Sequence, residues 1–424
     1  MTVHHTENLL VSVLIQLIVI VLAAQLAGKA ARWLGQPRAV GEIVAGLMLG
    51  PSLFGYFLPD LSNALFTAEA GVPMQVLSQI GLILLMFQIG YDFDFGHLHE
   101  AKNRRATVLV SVASILVPLA TGFAAGWLSQ PLLAPGTDRL IYSLFLSIAL
   151  AITAVPILGR ILAEYGLTRH EVGVISISAA AANDVAGWVL LAVVAAMASA
   201  SLSLPSVALQ LAGLAIMAAV LRYAVQPLVD RYFGDGASKG DPVPPMAMAL
   251  VLAGIFLSGI ITQKLGIFTI FGGFLFGLLF HKHDRFVEAW RQKAGQFVLV
   301  FFLPVFFTYT GLRTNVLGLT TVQDWLWCAI LFVAAVGAKI IPVYFAARAG
   351  GMDLPQSRIV AVLMNTRALM ELIVLNVGFS LGFIPPNVFT MLVLMAIGTT
   401  IMTGPLLRAL LPKAGIATSG YRDA

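Results

Sequence analysis

The sequence predicts an all-α polytopic membrane protein, and three observations carry the prediction. Of 424 residues, 59% are hydrophobic and 11% charged, against roughly a quarter charged in soluble domains. Mean hydropathy is +0.92; a soluble fold of this size lacks the charge to cover its surface, and a disordered chain would be far less apolar. Apolar stretches then recur along the whole chain, at 8–28, 39–58, 73–95, 106–128, 139–162, 172–198, 204–229, 244–265, 267–280, 295–312, 324–347, 357–379 and 386–408. At about 20 residues per crossing, these thirteen spans leave short loops and no second soluble domain.

Span 1 is long for the apolar region of a signal peptide, and Glu7 precedes it with no Lys or Arg, so it reads as a first crossing and not a leader. Span 9, Ile267–Phe280, is short and glycine-rich; charge parity requires it. With the N-terminus outside, 20 of the 25 lysines and arginines fall in inside loops, only Arg139, Lys264 and Arg313 outside, and Lys339 and Arg367 within spans. This positive-inside sorting predicts N-out and C-in, and it disposes of a nucleic-acid reading of the net charge of +5. The single cysteine, Cys328, has no intrachain partner. Thirteen spans also suit an inverted repeat: 1–200 as a first six-helix unit, 204–229 as a linker helix, 244–408 as the inverted second unit and 409–424 as a short cytosolic tail, all within one transmembrane domain, 1–424. Such repeats let a central site face either side in turn. The argument is topological, because the halves share no convincing sequence identity.

Ionisable groups deep in spans are rare and usually functional, since a charge at the bilayer centre costs at least about 2.5–3.5 kcal/mol. Asp184 lies some twelve residues into span 6, near the midplane at 1.5 Å per residue, among the small residues Ser178–Gly187. Asn183 beside it offers a neutral oxygen or a cap for a broken helix. Lys339, mid-span in span 11, either pairs, loses its proton, faces water or snorkels to the cytosolic interface. In span 12, Asn365, Thr366, Arg367 and Glu371 cluster, and Arg367 and Glu371 stand four apart, as neutralising neighbours on one helix face, for structural or functional ends. In span 5, Pro156 cannot donate to Ile152; either a simple kink results, or freed carbonyls and the Thr153 hydroxyl form a cradle for an alkali cation. Glu42 and Asp92 read as interface charges, and Gly46-xxx-Gly50 and Gly273-xxx-Gly277 as close helix packing. No phosphate-binding glycine loop with a following lysine is present, His281 and His283 lack further zinc ligands, and no constellation for nucleophilic catalysis occurs. An enzyme is not expected, nor a cofactor, nor any metal beyond a transported ion.

Five segments together resemble the monovalent cation:proton antiporter superfamily, in its branch of Kef- and NapA-like antiporters and plant cation/H+ exchangers. They are Gln36-Pro-Arg with Gly41-Glu-Ile and Gly50-Pro-Ser; Ala151-Ile-Thr-Ala-Val-Pro-Ile-Leu-Gly-Arg160; Ala182-Asn-Asp-Val-Ala-Gly-Trp188; Phe302-Leu-Pro-Val-Phe with Gly311-Leu-Arg-Thr-Asn315; and Met364-Asn-Thr-Arg-Ala-Leu-Met-Glu-Leu-Ile373. The resemblance implies a homodimeric, thirteen-helix fold of the NapA/NhaA type, with a dimer domain, a mobile core domain and inverted repeats whose broken spans 5 and 12 cross beside the span 6 aspartate. Asp184 matches the family's cation- and proton-binding carboxylate, Thr153 its broken-helix ligand and Lys339 its basic residue on span 11. Two departures stand out: Asn183 replaces the aspartate of electrogenic relatives, and Ala368 stands where glycine is common. With sixteen residues after span 13, the nucleotide-binding regulatory domain of many Kef-type members is not expected.

The expected function is exchange of H+ for K+, or for Na+, by alternating access, in a multi-pass protein of a bacterial inner membrane. The cycle is expected to be electroneutral. The rival readings are a Na+-coupled importer of small organic anions, with Arg367 as anion donor, and a non-transporting sensor, which would need an output domain.

Overall fold

In the computed structural model, residues 3–92, 104–168, 170–199, 204–233, 243–265, 269–367 and 369–416 are described. All regular structure among them is helical. The main helices are α1 (Val3–Trp33), α2 (Arg38–Leu49), α3 (Ala68–Asp92), α4 (Arg104–Leu133), α5 (Arg139–Ala151), α6 (Val155–Glu164), α7 (Glu171–Ser199), α8 (Leu204–Val220), α9 (Pro245–Lys264), α10 (Thr269–Gly277), α11 (Leu303–Leu312), α12 (Val322–Ala349), α13 (Leu354–Met364), α14 (Leu369–Ser380) and α15 (Pro386–Leu410). Eleven helical stretches among the described residues are long and apolar enough to cross a bilayer, and two shorter apolar helices, Arg139–Ala151 and Thr269–Phe280, fall on spans 5 and 9. Ala368 and most of the loop from Gly234 lie outside the described residues.

The chain parts into two compact units, each drawing on both halves of the sequence: 1–22, 58–94 and 195–309, and 23–57, 95–194 and 310–424. In the first, α3 and α10 meet through glycine. A Cβ on Gly273 would lie 2.4 Å from the Ile83 carbonyl oxygen, and one on Gly277 2.3 Å from that of Phe87, so the close packing expected of this pair is present. Phe87 also packs edge-on against Trp290 at 4.8 Å and Phe280 at 5.5 Å between ring centroids.

In the second unit, Gly46 of α2 and Gly50, which caps its C-terminus, lie against Gly311. A Cβ on Gly311 would come within 2.0 Å of the Gly46 carbonyl oxygen, which leaves no room for any side chain there. Glu42 differs from its expectation as an interface charge. It is 2% exposed and paired with Arg38 at 3.0 Å, because α2 turns this face inward and the arginine four residues earlier supplies the neutralising charge. Asp92 is the last residue of α3.

Candidate functional site

Two helices of the second unit are interrupted and meet at their interruptions. The first break follows α5, where Ile152 turns extended (φ −69°, ψ 141°) before α6 begins at Val155. Pro156 explains it: without an N–H it cannot continue the ladder from α5, yet it is tolerated in the first turn of α6, where that N–H would be unpaired. The second break follows α13, where Asn365 caps the helix and Thr366 and Arg367 are non-helical.

In an apolar surrounding the freed backbone groups need partners, and the two breaks supply them to each other. The Ala154 N–H donates to the Thr366 carbonyl at 3.2 Å. The Thr153 hydroxyl donates to the Met364 carbonyl at 2.9 Å. Asn365 and Thr366 turn to α15, with Asn365 Nδ2 3.6 Å from Met402 Sδ and Thr366 Oγ1 3.4 Å from Thr403 Oγ1.

α7 runs beside this crossing. A Cβ on Gly187 would lie 2.8 Å from Ile152 Cγ1, so glycine one turn beyond Asn183 lets α7 close on the first break. Asn183 Nδ2 donates to Thr153 Oγ1 at 3.2 Å and to Ser114 Oγ at 3.2 Å. Asp184 is 1% exposed, and neither carboxylate oxygen has a hydrogen-bond partner among the described residues. The backbone N–H of Val155, at the N-terminus of α6, is the backbone group that acts on this carboxylate. That end of a helix carries partial positive charge and suits an anion.

The opposite helix end carries the cations. Lys339, 0% exposed on α12, donates to the Ser114 carbonyl at 2.8 Å and to the carbonyl of Ala151, the last residue of α5. Arg367 donates to Ala149 at 2.9 Å and to Ala335 at 3.0 Å. Both positive groups therefore sit at the carbonyl end of α5, the complement of its dipole. Of the fates open to Lys339, the structure shows it turned inward and not snorkelling.

The expected Arg367–Glu371 pair on one helix face is corrected. Arg367 precedes α14, so the two do not share a helical turn, and the arginine's terminal nitrogens are committed to carbonyls. Glu371 is buried, and neither oxygen has a hydrogen-bond partner among the described residues. Arg367 and Lys339 lie within its electrostatic reach. The residue that sequence reasoning missed is Ser114 on α4, which touches Asn183 with its hydroxyl and Lys339 with its carbonyl. Serines in apolar helices commonly bond back to their own backbone, so the hydroxyl carries no signal; Pro118, four residues on and without an N–H, marks only the free carbonyl.

The profile of the transmembrane sodium/hydrogen exchanger family matches residues 17–413. The chain belongs to that family. It is 34% identical to the Na+/H+ antiporter NhaS4 of Synechocystis over 96% of this chain and 98% of that one. It is 33% identical to cation/H+ antiporter 17 of Arabidopsis thaliana, over 98% of this chain and 50% of the relative, and 26% identical to K+/H+ antiporter 1 of Saccharomyces cerevisiae, over 99% and 48%. The chain thus spans nearly all of the cyanobacterial relative and about half of the plant and yeast ones. The solved structure of the sodium proton antiporter MjNhaP1 of Methanocaldococcus jannaschii aligns with a TM-score of 0.65 at 15% identity, over 98% of this chain and all of that one, a likeness of fold. The protein is a multi-pass membrane transporter of the monovalent cation:proton antiporter superfamily, not an enzyme.

Proposed function

We propose that the chain exchanges H+ for a monovalent cation by alternating access, with Asp184 as the one site that both ions occupy. The observation that carries this reading is a buried carboxylate at the crossing of two broken helices, with neither oxygen in a side-chain hydrogen bond or ion pair among the described residues. A proton or an alkali cation neutralises it, and neutralisation removes much of the cost of moving it through a low-dielectric zone. The empty, charged form crosses poorly, which makes the exchange obligatory. Thr153 and Asn183 supply neutral oxygens beside it; Pro156, Asn365 and Thr366 keep the breaks open; Lys339 and Arg367 balance the carbonyl end of α5, with Glu371 as a buried counter-charge.

The cycle in this reading is one-for-one. Asn183 does not titrate, and both bonds of Lys339 go to carbonyls, which a permanently charged ammonium satisfies. Na+ and K+ both suit carboxylate, hydroxyl and carbonyl ligands, and the relatives' names cover both ions. We place K+ first on the plant-type Asn-Asp and Asn-Thr-Arg pattern. The same reading takes α5 with α6 as span 5 and the Thr269–Phe280 helix as span 9, completing thirteen crossings in inverted repeats, N-terminus outside and C-terminus cytoplasmic, in a homodimer.

The test uses proteoliposomes with an imposed pH gradient and an internal pH dye, challenged in turn with K+, Na+, Li+ and a dicarboxylate. Proton movement triggered by an alkali cation and not by the carboxylate is expected. Carboxylate uptake without cation-triggered proton movement would return the organic-anion importer.

A further inference from the structure

The orientation of the Asn183 amide is dictated by where two hydroxyl protons go. Thr153 Oγ1 gives its proton to the Met364 carbonyl at 2.9 Å, so toward Asn183 it can only accept. Ser114 Oγ gives its proton to the Ser111 carbonyl at 3.0 Å, three residues back on α4, so it too can only accept. Both therefore face the amide NH2, each at 3.2 Å. A hydroxyl has a single proton and an amide oxygen has none. Turning the amide round would set its oxygen against two oxygens whose protons are already placed. The amide oxygen is left with no protein hydrogen bond among the described residues.

From this we propose that Ser114 is a positioning residue for cation binding. Its hydroxyl holds Asn183 so that the amide oxygen, and not the NH2 group, stays available to the ion at Asp184. An amide oxygen is a good ligand for Na+ or K+, whereas an amide NH2 repels a cation. Thr153 alone fixes one N–H and leaves the other without an anchor; the second anchor on α4 makes the arrangement two-point and resistant to rotation. The same residue steadies Lys339 through its carbonyl at 2.8 Å, a bond that a side-chain substitution leaves in place. The inference rests on the reading of Asp184 as the cation site.

Ser114→Ala in proteoliposomes, assayed for cation-triggered proton movement over a cation titration, tests it. The apparent KM for the transported cation is expected to rise about tenfold, the equivalent of one modest hydrogen bond, while the maximal rate at saturating cation stays within about twofold. Ser114→Thr, which keeps the hydroxyl, is expected to recover the wild-type KM. A fall in maximal rate at unchanged KM would assign Ser114 to structure alone and overturn the proposal, as would a raised KM that Ser114→Thr, confirmed folded by its thermal melt, does not recover. Should Ser114→Ala not accumulate in the membrane, Ser114→Cys, a weaker acceptor, replaces it: an intermediate KM supports the proposal and an unchanged KM overturns it. Asp184→Asn is run alongside. If it still exchanges, the parent reading fails; if it is inactive while Ser114→Ala keeps its KM, only the role of Ser114 fails.

Discussion

The Thr153 hydroxyl ties three elements together, giving its proton to Met364 at the end of α13 and accepting from Asn183 on α7 while itself lying in the break after α5. Thr153→Val keeps the shape and removes both bonds. Leaving buried polar groups unpaired costs about 1–3 kcal/mol, so the variant is expected to melt earlier than wild type yet still accumulate, with a cation KM raised about tenfold; an unchanged KM for every cation would make Thr153 purely structural. Asp184, Thr153 and Lys339 were legible in the sequence because charge or a proline break at membrane depth is costly and therefore conspicuous. Ser114 was not, since one serine in an apolar span carries no such cost. The partners of Lys339 were also hidden: the break before Thr153 releases the Ala151 carbonyl and Pro118, which has no N–H to offer, releases that of Ser114, but neither feature says which side chain takes them.

At the scale of elements, the break in span 5 was legible through Pro156, while that in span 12 had neither proline nor glycine to mark it. Without that signal, Arg367 and Glu371 read as neighbours on a continuous helix; the interruption at Thr366 and Arg367 separates them. Glycine packing was easier to read, because small residues four apart in an apolar helix signal close approach. Gly311→Ala is expected to destabilise the protein by about 1–3 kcal/mol, the usual cost of overpacking, since its methyl would meet backbone of α2. Gly71→Ala, where a Cβ meets nothing within 4 Å in α3, is expected to be neutral or to gain up to about 1 kcal/mol from helix propensity. Thermal melts of both variants in one detergent decide this: equal midpoints would contradict the packing of α2 against Gly311.

For the whole molecule, hydropathy was enough to read a polytopic membrane protein and the five family-like segments to read an antiporter, but the division into compact units was not readable, because each unit gathers segments from both halves of the chain. Contacts between segments hundreds of residues apart leave no mark in local composition. The proposed one-for-one cycle moves no net charge, so exchange in proteoliposomes clamped at different membrane potentials is expected to run at one rate; a cation-triggered current that vanishes in Lys339→Gln would show that Lys339 gives up its proton in the cycle. The central claim, that a proton and a cation compete for a single carboxylate, is tested most directly by Asp184→Asn, reconstituted and shown by its melt to be folded, in the assay of cation-triggered proton movement. Complete loss of exchange for every cation, with the fold intact, is the predicted result. Residual proton movement that still saturates with K+ or Na+ would contradict it.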